Sequence, residues 1–426
     1  MMNIKEKLRL LERSSAAPPP ERPMRQKPRP ETAGLARLLG GVPAGAEDVQ
    51  WIHIVRKYPL PIRHGSVEIP SNLEVSPDYL RVIAKNKISE RFSVSNALFF
   101  DTETTGLAGG TGTYVFLIGA GYFHDSQFVI EQFFLPTPGA ERTMLGDFQT
   151  LLQQKRGLIS FNGKTFDAPL LTSRFIQQRL NPVLDLHEHL DLLHACRRIV
   201  QNDFGDCSLN TLERALLSIR REGDIPGSEI PQAYLNFLRE GTTEPLPAIV
   251  YHNRMDILTL AGLLVLLLQW VERAREADLA GFIAGRIARL HAEIHETEQA
   301  AEIYRRALRP DSAGSSTWHE KQTLLLQYAR SLKRLKQLDR AAEIWQQVVQ
   351  SNPQSIEPYI ELAKYYEHTI KDIPRALQVT ERALSWLEGN TYFKNNRAHT
   401  EAHRSALLHR RGRLIRKIQH QKNQSA

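Results

Sequence analysis

Two carboxylates stand two positions apart at the end of an apolar run. Residues 97–100 read Ala-Leu-Phe-Phe, and Asp101 and Glu103 follow them around a single threonine. The run predicts a buried strand, and residues two apart on a strand point to the same face. Two carboxylates this close repel each other, and a divalent cation between them relieves the repulsion. The segment therefore predicts a metal site at the rim of a sheet.

Two more carboxylates stand where helices are predicted to begin. Asp167 follows a short apolar run at residues 158–161 and precedes Pro169, a position that suits a helix N-cap. Asp256 lies near the start of an apolar helix that we predict to run to about residue 276. A buried carboxylate needs a cation, a proton or a metal ion, whereas an acid in a first helical turn only answers the helix dipole. The pattern leaves both interpretations of Asp256 open.

A third acidic segment contains two histidines. His187, His189 and Asp191 alternate onto one face of a predicted strand, and these residue types also serve as zinc ligands. No second group of ligands follows them at a recognisable spacing. We therefore favour a strand whose Asp191 faces the first pair of carboxylates.

The elements around these residues predict a mixed sheet with flanking helices. Besides the strand that starts at residue 97, strand patterns occupy residues 114–123, 128–135 and 158–161. The first three strands predict an antiparallel meander, and a helical pattern at residues 141–154 predicts a crossover to the fourth. Upstream, residues 51–69 suggest an edge strand that Pro59 and Pro61 interrupt.

Composition narrows the class of protein. A chain of 426 residues predicts two or three domains, and its net charge of +8 favours polyanionic partners. Its two cysteines, Cys196 and Cys207, form no disulfide framework and fit a reducing compartment. The longest apolar run, residues 258–271, is too short to cross a bilayer. We therefore expect a cytoplasmic protein with no membrane partner.

Three segments together resemble the motifs of the DEDD 3′-5′ exonuclease superfamily, whose members have a ribonuclease H-like fold. They are Asp-x-Glu-Thr-Thr-Gly-Leu from residue 101, Asn-x-x-x-Phe-Asp from residue 162, and the aspartate at residue 256. The surrounding sequence, including Asp-Ile-Pro-Gly at residues 224–227, is similar to the YprB-like branch of predicted exonucleases. The resemblance covers residues 98–270 and implies an α/β ribonuclease H-like domain.

The resemblance also implies a metal site and a substrate. Two Mg²⁺ or Mn²⁺ ions would be held by Asp101, Glu103, Asp167 and Asp256, and would hydrolyse phosphodiester bonds by a two-metal mechanism. The implied substrate is a single strand or a 3′ end, and DNA and RNA both stay open. The predicted substrate contacts are Thr104, Asn162, Lys164 and Tyr251, although Lys164 is equally well explained as a solvent-exposed loop lysine.

The sequence departs from the superfamily pattern before the last aspartate. The known subfamilies place a histidine five residues before it or a tyrosine four residues before it. Here His252 is four residues before Asp256 and Tyr251 is five before it. Residues four apart share a helical face, which favours His252 as general base or water-orienting residue. A structural histidine is the alternative, and which of the two side chains acts in proton transfer stays open.

Beyond residue 276 the pattern changes to paired helices. Ala-Ala-Glu-Ile at residues 300–303 recurs at residues 341–344 and more loosely at residues 375–384. This spacing resembles tetratricopeptide repeats, which recur about every 34 residues and commonly bind proteins. The repeats therefore predict a protein partner. Residues 397–418 predict a basic helix that either caps the repeats or contacts nucleic acid, with an apolar side made of Leu407, Leu408, Leu414, Ile415 and Ile418.

The predicted organisation has five segments. They are a basic Pro-rich flexible lead (1–50), a lead-in segment of uncertain role (51–96), a ribonuclease H-like exonuclease domain (97–275), tetratricopeptide-like repeats (276–389), and a basic C-terminal helix and tail (390–426). The predicted function is metal-dependent 3′-5′ exonuclease activity. Two alternatives remain: a non-catalytic nucleic-acid-binding adaptor whose repeats recruit a protein, and a structure-specific endonuclease on the same fold. Neither the oligomeric state nor the protein partner follows from the sequence.

Overall fold

The computed structural model describes most of the chain. The described residues are 31–71, 73–106, 112–200, 203–276, 279, 281–309, 318–351, 353, 355–389 and 397–424. Most of the predicted Pro-rich lead, residues 1–30, lies outside them, as does Leu107 at the end of the first motif.

A seven-stranded mixed sheet forms the centre of the first part of the chain. Its strands are β1 (Val42–Ala44), β2 (Trp51–Pro59), β5 (Ala97–Thr104), β6 (Val115–His124), β7 (Gln127–Phe134), β8 (Gly157–Ser160) and β9 (Glu188–Asp191), whereas β3 (Ile62–His64) and β4 (Val67–Ile69) form a separate hairpin. The order across the sheet is β1-β2-β7-β6-β5-β8-β9. Strands β5, β8 and β9 run parallel, and the other neighbours pair antiparallel. The predicted α/β fold class with a mixed sheet is confirmed.

Strand β5 lies inside this sheet, between β6 and β8. Its first four residues, Ala97 to Phe100, are fully buried, as the apolar run predicts. Strands β5, β6 and β7 form the predicted antiparallel meander. Because β5 and β8 are parallel, the residues that follow their carboxyl ends meet at one edge of the sheet.

The strand predicted at the edge of the sheet from residue 51 is the second strand in the sheet order. Strand β2 pairs with β7 from Ile52 to Pro59, whereas the short strand β1 covers only Trp51 to His53 on its other side, so the rest of β2 follows the predicted edge. Trp51, Ile52 and Ile54 are buried, with Trp51 on the face of Phe133 and the two isoleucines on the opposite face. The hydrogen-bonding edge of β7 requires a partner, and β2 satisfies it. The sheet therefore extends upstream of residue 97, where the exonuclease domain was predicted to begin.

Helices cover both faces of the sheet. In chain order they are α1 (Thr32–Leu39), α2 (Pro77–Ala84), α3 (Glu141–Gln153), α4 (Asp167–Gln177), α5 (Leu192–Val200), α6 (Leu209–Leu216), α7 (Ile230–Glu240) and α8 (Leu246–Glu276). Leu98 and Phe100 of β5 join one apolar core with α3, α4 and α7. Ala97 and Phe99 belong to a second core with α5, α6 and α8. The two faces of one strand thus contact different helices.

Helix α8 is the longest helix of the described residues and packs on the second face. Its 31 residues, with a mean hydropathy of 1.7 in the most apolar window, are long and apolar enough to cross a membrane. The apolar run at residues 258–271 alone predicts a segment too short to cross a bilayer, but the helix extends beyond it at both ends. In this structure 67% of the window is buried inside the protein. Here α8 is a core helix that contacts β5 and β6.

A region of many helices follows α8. Its helices are α9 (Gly281–Glu293), α10 (Thr297–Ala307), α11 (Trp318–Arg334), α12 (Leu338–Gln350), α13 (Glu357–Lys364), α14 (Ile373–Gly389) and α15 (Arg397–Gln424), with a π-helical turn at Tyr365–Ile370. Each helix packs against the next one in the chain. Their apolar residues continue the core that lies beneath α8. The helical domain and the sheet domain therefore share one core.

Helix α15 packs on α14 through part of its predicted apolar side. Leu407 and Leu414 are buried, whereas Leu408 is 38% exposed. The prediction that Leu408 belongs to the apolar side is therefore wrong, because consecutive residues on a helix lie on different faces and Leu407 already occupies the buried one. The charged Glu367, buried in the π-helical turn, accepts bonds from three basic residues of α15: Arg410, Arg413 and Lys417.

Candidate metal centre

Asp101 and Glu103 leave β5 on the face that α8 covers. They continue the alternation of Ala97 and Phe99, whose side chains lie in the core beneath α8. In the ladder with β6, Asp101 lies opposite Gly119. A Cβ at Gly119 would be only 2.2 Å from Oδ1 of Asn253 on α8. The absence of a side chain at Gly119 therefore lets α8 approach the carboxylates.

Asn253 links α8 to the first carboxylate. Its Nδ2 donates to Oδ2 of Asp101 at 3.1 Å and to the backbone oxygen of Asp101 at 3.3 Å. Nε2 of Gln132 on β7 donates in turn to Oδ1 of Asn253 at 2.9 Å and to the backbone oxygen of Val250 at 2.8 Å. Both amide side chains are fully buried. Asn253 thus fixes the position of Asp101, a role that sequence reasoning missed.

Asp256 lies well inside α8, about three turns after the helix begins. The interpretation that it answers the helix dipole in a first turn is therefore wrong, because the helix begins earlier than predicted. Its charge is balanced by Arg221, whose Nη2 donates to Oδ1 of Asp256 at 2.5 Å. Arg221 also donates to Glu213 of α6, with Nε to Oε1 at 2.9 Å. Sequence reasoning did not identify Arg221.

His252 lies one turn before Asp256, on the same helical face as predicted. Its Nδ1 lies 2.9 Å from Oδ1 of Asp224, and its Nε2 lies 3.5 Å from Oδ2 of Asp256. Ligand atoms of Glu103, His252 and Asp256 all lie within 4.8 Å of one another. Tyr251 lies elsewhere, with its ring 5.3 Å from the guanidinium carbon of Arg254. The exchanged order of histidine and tyrosine therefore places the histidine among the acids.

Asp167 reaches the site from the face of the sheet opposite α8. It is the first residue of α4, and Phe166 occupies the N-cap position, so the predicted N-cap role of Asp167 is wrong by one residue. Its Oδ1 accepts a short hydrogen bond from the hydroxyl of Thr102 on β5. Thr102 points to the face opposite Asp101, where α4 packs. Sequence reasoning missed Thr102, although its place between the two acids was visible.

Asp191 holds the loop that precedes Asp167. Its carboxylate accepts from the backbone nitrogens of Asn162 at 2.8 Å, Lys164 at 3.2 Å and Leu193 at 3.1 Å. Asp191 was expected to face the first carboxylates, but its oxygens are engaged by these amides instead. Asn162 has a φ of +65°, a conformation that asparagine tolerates better than most residues.

The two histidines near Asp191 have separate partners. Nε2 of His189 lies 2.6 Å from the hydroxyl of Ser160, and burial lowers the pKa of His189 to about 3. The ring of His187 contacts the backbone oxygens of Val183 and Leu152 at 2.7 and 3.0 Å. These contacts support structural roles for both histidines rather than zinc binding.

Comparison with known proteins identifies the family of this chain. Residues 98–268 match the RNase_H superfamily. The chain is 32% identical over 336 residues to "Uncharacterized protein YprB" of Bacillus subtilis (strain 168), which covers 77% of this chain and 79% of that protein. The chain belongs to the YprB family. The family B DNA polymerase from Pyrobaculum calidifontis aligns with 50% of this chain and 29% of its own, at 14% identity and a TM-score of 0.34, which is too low to support an argument.

The YprB-family site concentrates negative charge in a half-buried place. Burial raises the pKa of Asp101 well above its usual range, and the charges of Asp256, Asp167 and Glu103 add to this effect. Burial likewise raises the pKa of Glu103, with further contributions from Asp256 and Asp167. The pKa of Asp167 is raised to about 6, chiefly by burial. These charge effects indicate that the four predicted acids lie near one another.

The donor set of this YprB-family site fits a divalent cation. Four carboxylates offer the hard oxygen ligands that Mg²⁺ and Mn²⁺ prefer, and His252 adds an imidazole nitrogen. Among the predicted substrate contacts, Lys164 is an exposed side chain on the loop that Asp191 holds. Thr104 donates to the backbone oxygen of Gly106 at 3.0 Å and stabilises the turn after β5. The RNase H superfamily domain and this acid cluster together support the assignment of the protein as a nuclease that processes nucleic acid.

Proposed function

We propose that this YprB-family protein is a metal-dependent 3′-5′ exonuclease that acts on DNA or RNA. The observation that carries the proposal is the convergence of Asp101, Glu103, Asp167 and Asp256 from β5, α4 and α8 into one half-buried acidic cluster. Without a cation, burial raises the pKa of each acid, and repulsion from the other acids of the cluster adds to this effect for Asp101 and Glu103. A cluster that is unfavourable when empty is consistent with a site that binds divalent metal.

The chain's own residues keep the acids in position. Asn253 fixes Asp101, Thr102 fixes Asp167, and Arg221 binds one oxygen of Asp256 and leaves Oδ2 directed toward His252. When bound, two Mg²⁺ or Mn²⁺ ions supply an activated water and stabilise the departing 3′ oxygen. The loop that contains Asn162 and the exposed Lys164 leads directly into Asp167. We assign this loop to binding of the substrate strand.

The helical region gives the proposal a second part. Because α9 to α14 pack as successive helices, we infer a tetratricopeptide-like array that binds a protein partner in the cytoplasm. The repeated Ala-Ala positions support this inference, since Ala300, Ala341 and Ala376 are all fully buried.

The decisive experiment is degradation of 5′-labelled single-stranded DNA and RNA by the full chain with Mn²⁺ or Mg²⁺. We expect products that shorten from the 3′ end. The variant Asp101→Asn should lose activity by more than about 100-fold, because a metal ligand is lost. Asp125→Asn is the matched control, since the side chain of Asp125 is 88% exposed in a hairpin turn.

Three other outcomes would change the assignment. Cleavage of a circular substrate would indicate an endonuclease. Binding without cleavage of either strand would favour the adaptor. Unchanged activity in Asp101→Asn would contradict the acid cluster as the reaction site.

A further inference from the structure

His252 has one ring nitrogen whose protonation the structure determines. Its Nδ1 lies 2.9 and 3.0 Å from the two oxygens of Asp224. A carboxylate can only accept hydrogen bonds, so Nδ1 carries the hydrogen in this pair. In the neutral imidazole, Nε2 then presents a lone pair. Asp224 stands in the Asp-Ile-Pro-Gly segment, to which the proposed exonuclease chemistry assigns no role.

The lone pair of Nε2 faces a second acceptor. Oδ2 of Asp256 lies 3.5 Å from Nε2, and a Glu103 oxygen belongs to the same group of atoms within 4.8 Å. Acceptors that face each other repel unless a proton or a cation lies between them. Ligands about 2.1 Å from one ion are themselves separated by about 3 to 4.2 Å, and the 3.5 Å between Nε2 of His252 and Oδ2 of Asp256 lies in this range.

A network behind the three side chains limits their orientation. Oδ1 of Asp256 is bound to Arg221, whose side chain is only 6% exposed. Oε2 of Glu213, which pairs with Arg221, also accepts from Thr259 at 2.8 Å. These contacts leave Oδ2 of Asp256 facing Nε2 of His252. A histidine that donates its other nitrogen to a carboxylate is the usual arrangement of a metal-binding histidine.

We propose that His252, held by Asp224, is itself a metal ligand through Nε2, and that it shares one ion with Glu103 and Asp256. Imidazole ligands suit transition metals, whereas Mg²⁺ takes oxygen ligands. The site therefore prefers Mn²⁺ over Mg²⁺. A ligating Nε2 has no free lone pair, and Nδ1 is occupied by Asp224, so His252 is not the proton acceptor. This inference rests on the proposed function only in requiring a metal at the acid cluster.

Pulsed electron paramagnetic resonance of Mn²⁺ bound to the full chain tests this ligation directly. A directly bound imidazole gives a ¹⁴N coupling, which carboxylates and water do not give. We expect this coupling in the natural sequence, its loss in His252→Gln, and its retention in His124→Gln. His124 is a suitable control because its side chain is 66% exposed at the end of β6.

Metal affinity provides a second readout. By isothermal titration, His252→Gln should weaken Mn²⁺ binding by about 10- to 100-fold and Mg²⁺ binding by less. Asp224→Asn should weaken Mn²⁺ binding about 10-fold and leave the ¹⁴N coupling in place, because the imidazole is still present. Circular dichroism verifies that each variant is folded.

The possible results separate this inference from the exonuclease proposal. Mn²⁺ bound to the natural sequence without ¹⁴N coupling would overturn the ligand role of His252, whatever the activity. A ¹⁴N coupling in a protein that degrades no strand would support the ligand role and overturn only the exonuclease. Failure to bind Mn²⁺ at millimolar concentration would overturn both.

Discussion

At the scale of single residues, the site depends on side chains that orient the acids. Asp101 is held by Asn253, Asp167 by Thr102, and Asp256 by Arg221. Each of these bonds joins residues that are far apart in the chain. The acids themselves are unfavourable without metal, since burial raises the pKa of all four. The four acids therefore lower the stability of the metal-free protein, and metal binding offsets this loss.

The substitution Asp167→Asn should stabilise the metal-free protein at neutral pH. The pKa of Asp167 is raised to about 6 from its ordinary 3.8. A raised pKa means that the stabilising contribution is complete below pH 3.8 and is lost as the pH rises through 6. The asparagine does not ionise, so at pH 8 in EDTA the variant should be about 1 to 3 kcal/mol more stable.

Thermal unfolding at several pH values measures this difference. The advantage of Asp167→Asn should shrink toward zero near pH 4, where the natural carboxyl is protonated. Added Mn²⁺ should raise the melting temperature of the natural sequence more than that of the variant. A variant less stable than the natural sequence at pH 8 would show that the ionised carboxylate of Asp167 does not destabilise the metal-free protein.

At the scale of elements, the site exists because α8 packs closely on β6. Gly119 gives the space for Asn253, and Gln132 of β7 secures it. Strand β5 then directs Asp101 and Glu103 toward α8, and Thr102 toward α4. Three elements thus have to assemble before the acids meet.

Gly119→Ala should disturb this assembly. The added Cβ would lie 2.2 Å from Oδ1 of Asn253, so that side chain must move and its bonds to Asp101 and Gln132 weaken. We expect a loss of about 1 to 3 kcal/mol in the free energy of unfolding, together with weaker metal binding. Urea unfolding followed by circular dichroism measures the first effect.

Gly146→Ala is the matched control for this substitution. Gly146 lies in α3, and an added Cβ meets no atom within 4 Å. The replacement should therefore leave stability unchanged or raise it by up to about 1 kcal/mol. Equal effects of the two alanines would contradict the close contact at Gly119.

At the scale of the whole molecule, one apolar core joins the sheet domain to the helical region. Helix α8 belongs to both, and the basic helix α15 closes the far end over α14. Three basic side chains of α15 form ion pairs with Glu367. A capping role for α15 is consistent with these contacts, and its predicted contact with nucleic acid stays a prediction.

Glu367→Gln should loosen α15. Burial favours the protonated form of Glu367, but Arg413 and Lys417 outweigh it and lower the pKa to about 2 from its ordinary 4.5. A lowered pKa means that the stabilising contribution is present above pH 4.5 and is lost as the pH falls through 2. At pH 7 the variant should be about 2 to 4 kcal/mol less stable, because three cations lose a buried charged partner.

Hydrogen exchange of α15 reports this loosening by region. Exchange in residues 401–424 should accelerate in Glu367→Gln at pH 7, and the difference in stability should decrease below pH 4.5. Glu401→Gln is the control, since Glu401 is 68% exposed and its pair with Arg404 is a surface contact. Unaltered exchange in Glu367→Gln would mean that the apolar residues alone hold α15.

Local sequence patterns were sufficient for several features of this protein. Alternation in β5 predicts that Asp101 and Glu103 share a face, because side chains on a strand have a period of two. Helical spacing predicts that His252, rather than Tyr251, lies beside Asp256. The apolar runs predict the meander and the crossover to β8, since each pattern reflects burial of one element.

Only the tertiary structure decided which side chains meet across elements. The sequence predicts an edge strand at residue 51 but not that β7 pairs with one side of it and β1 with the first three residues of the other, because pairing depends on which neighbouring edge is open. Arg221 and Asn253 each bind an acid from another part of the chain, and no local period encodes such a partner. Periodicity reports the face of an element, whereas the partner on that face depends on how elements pack.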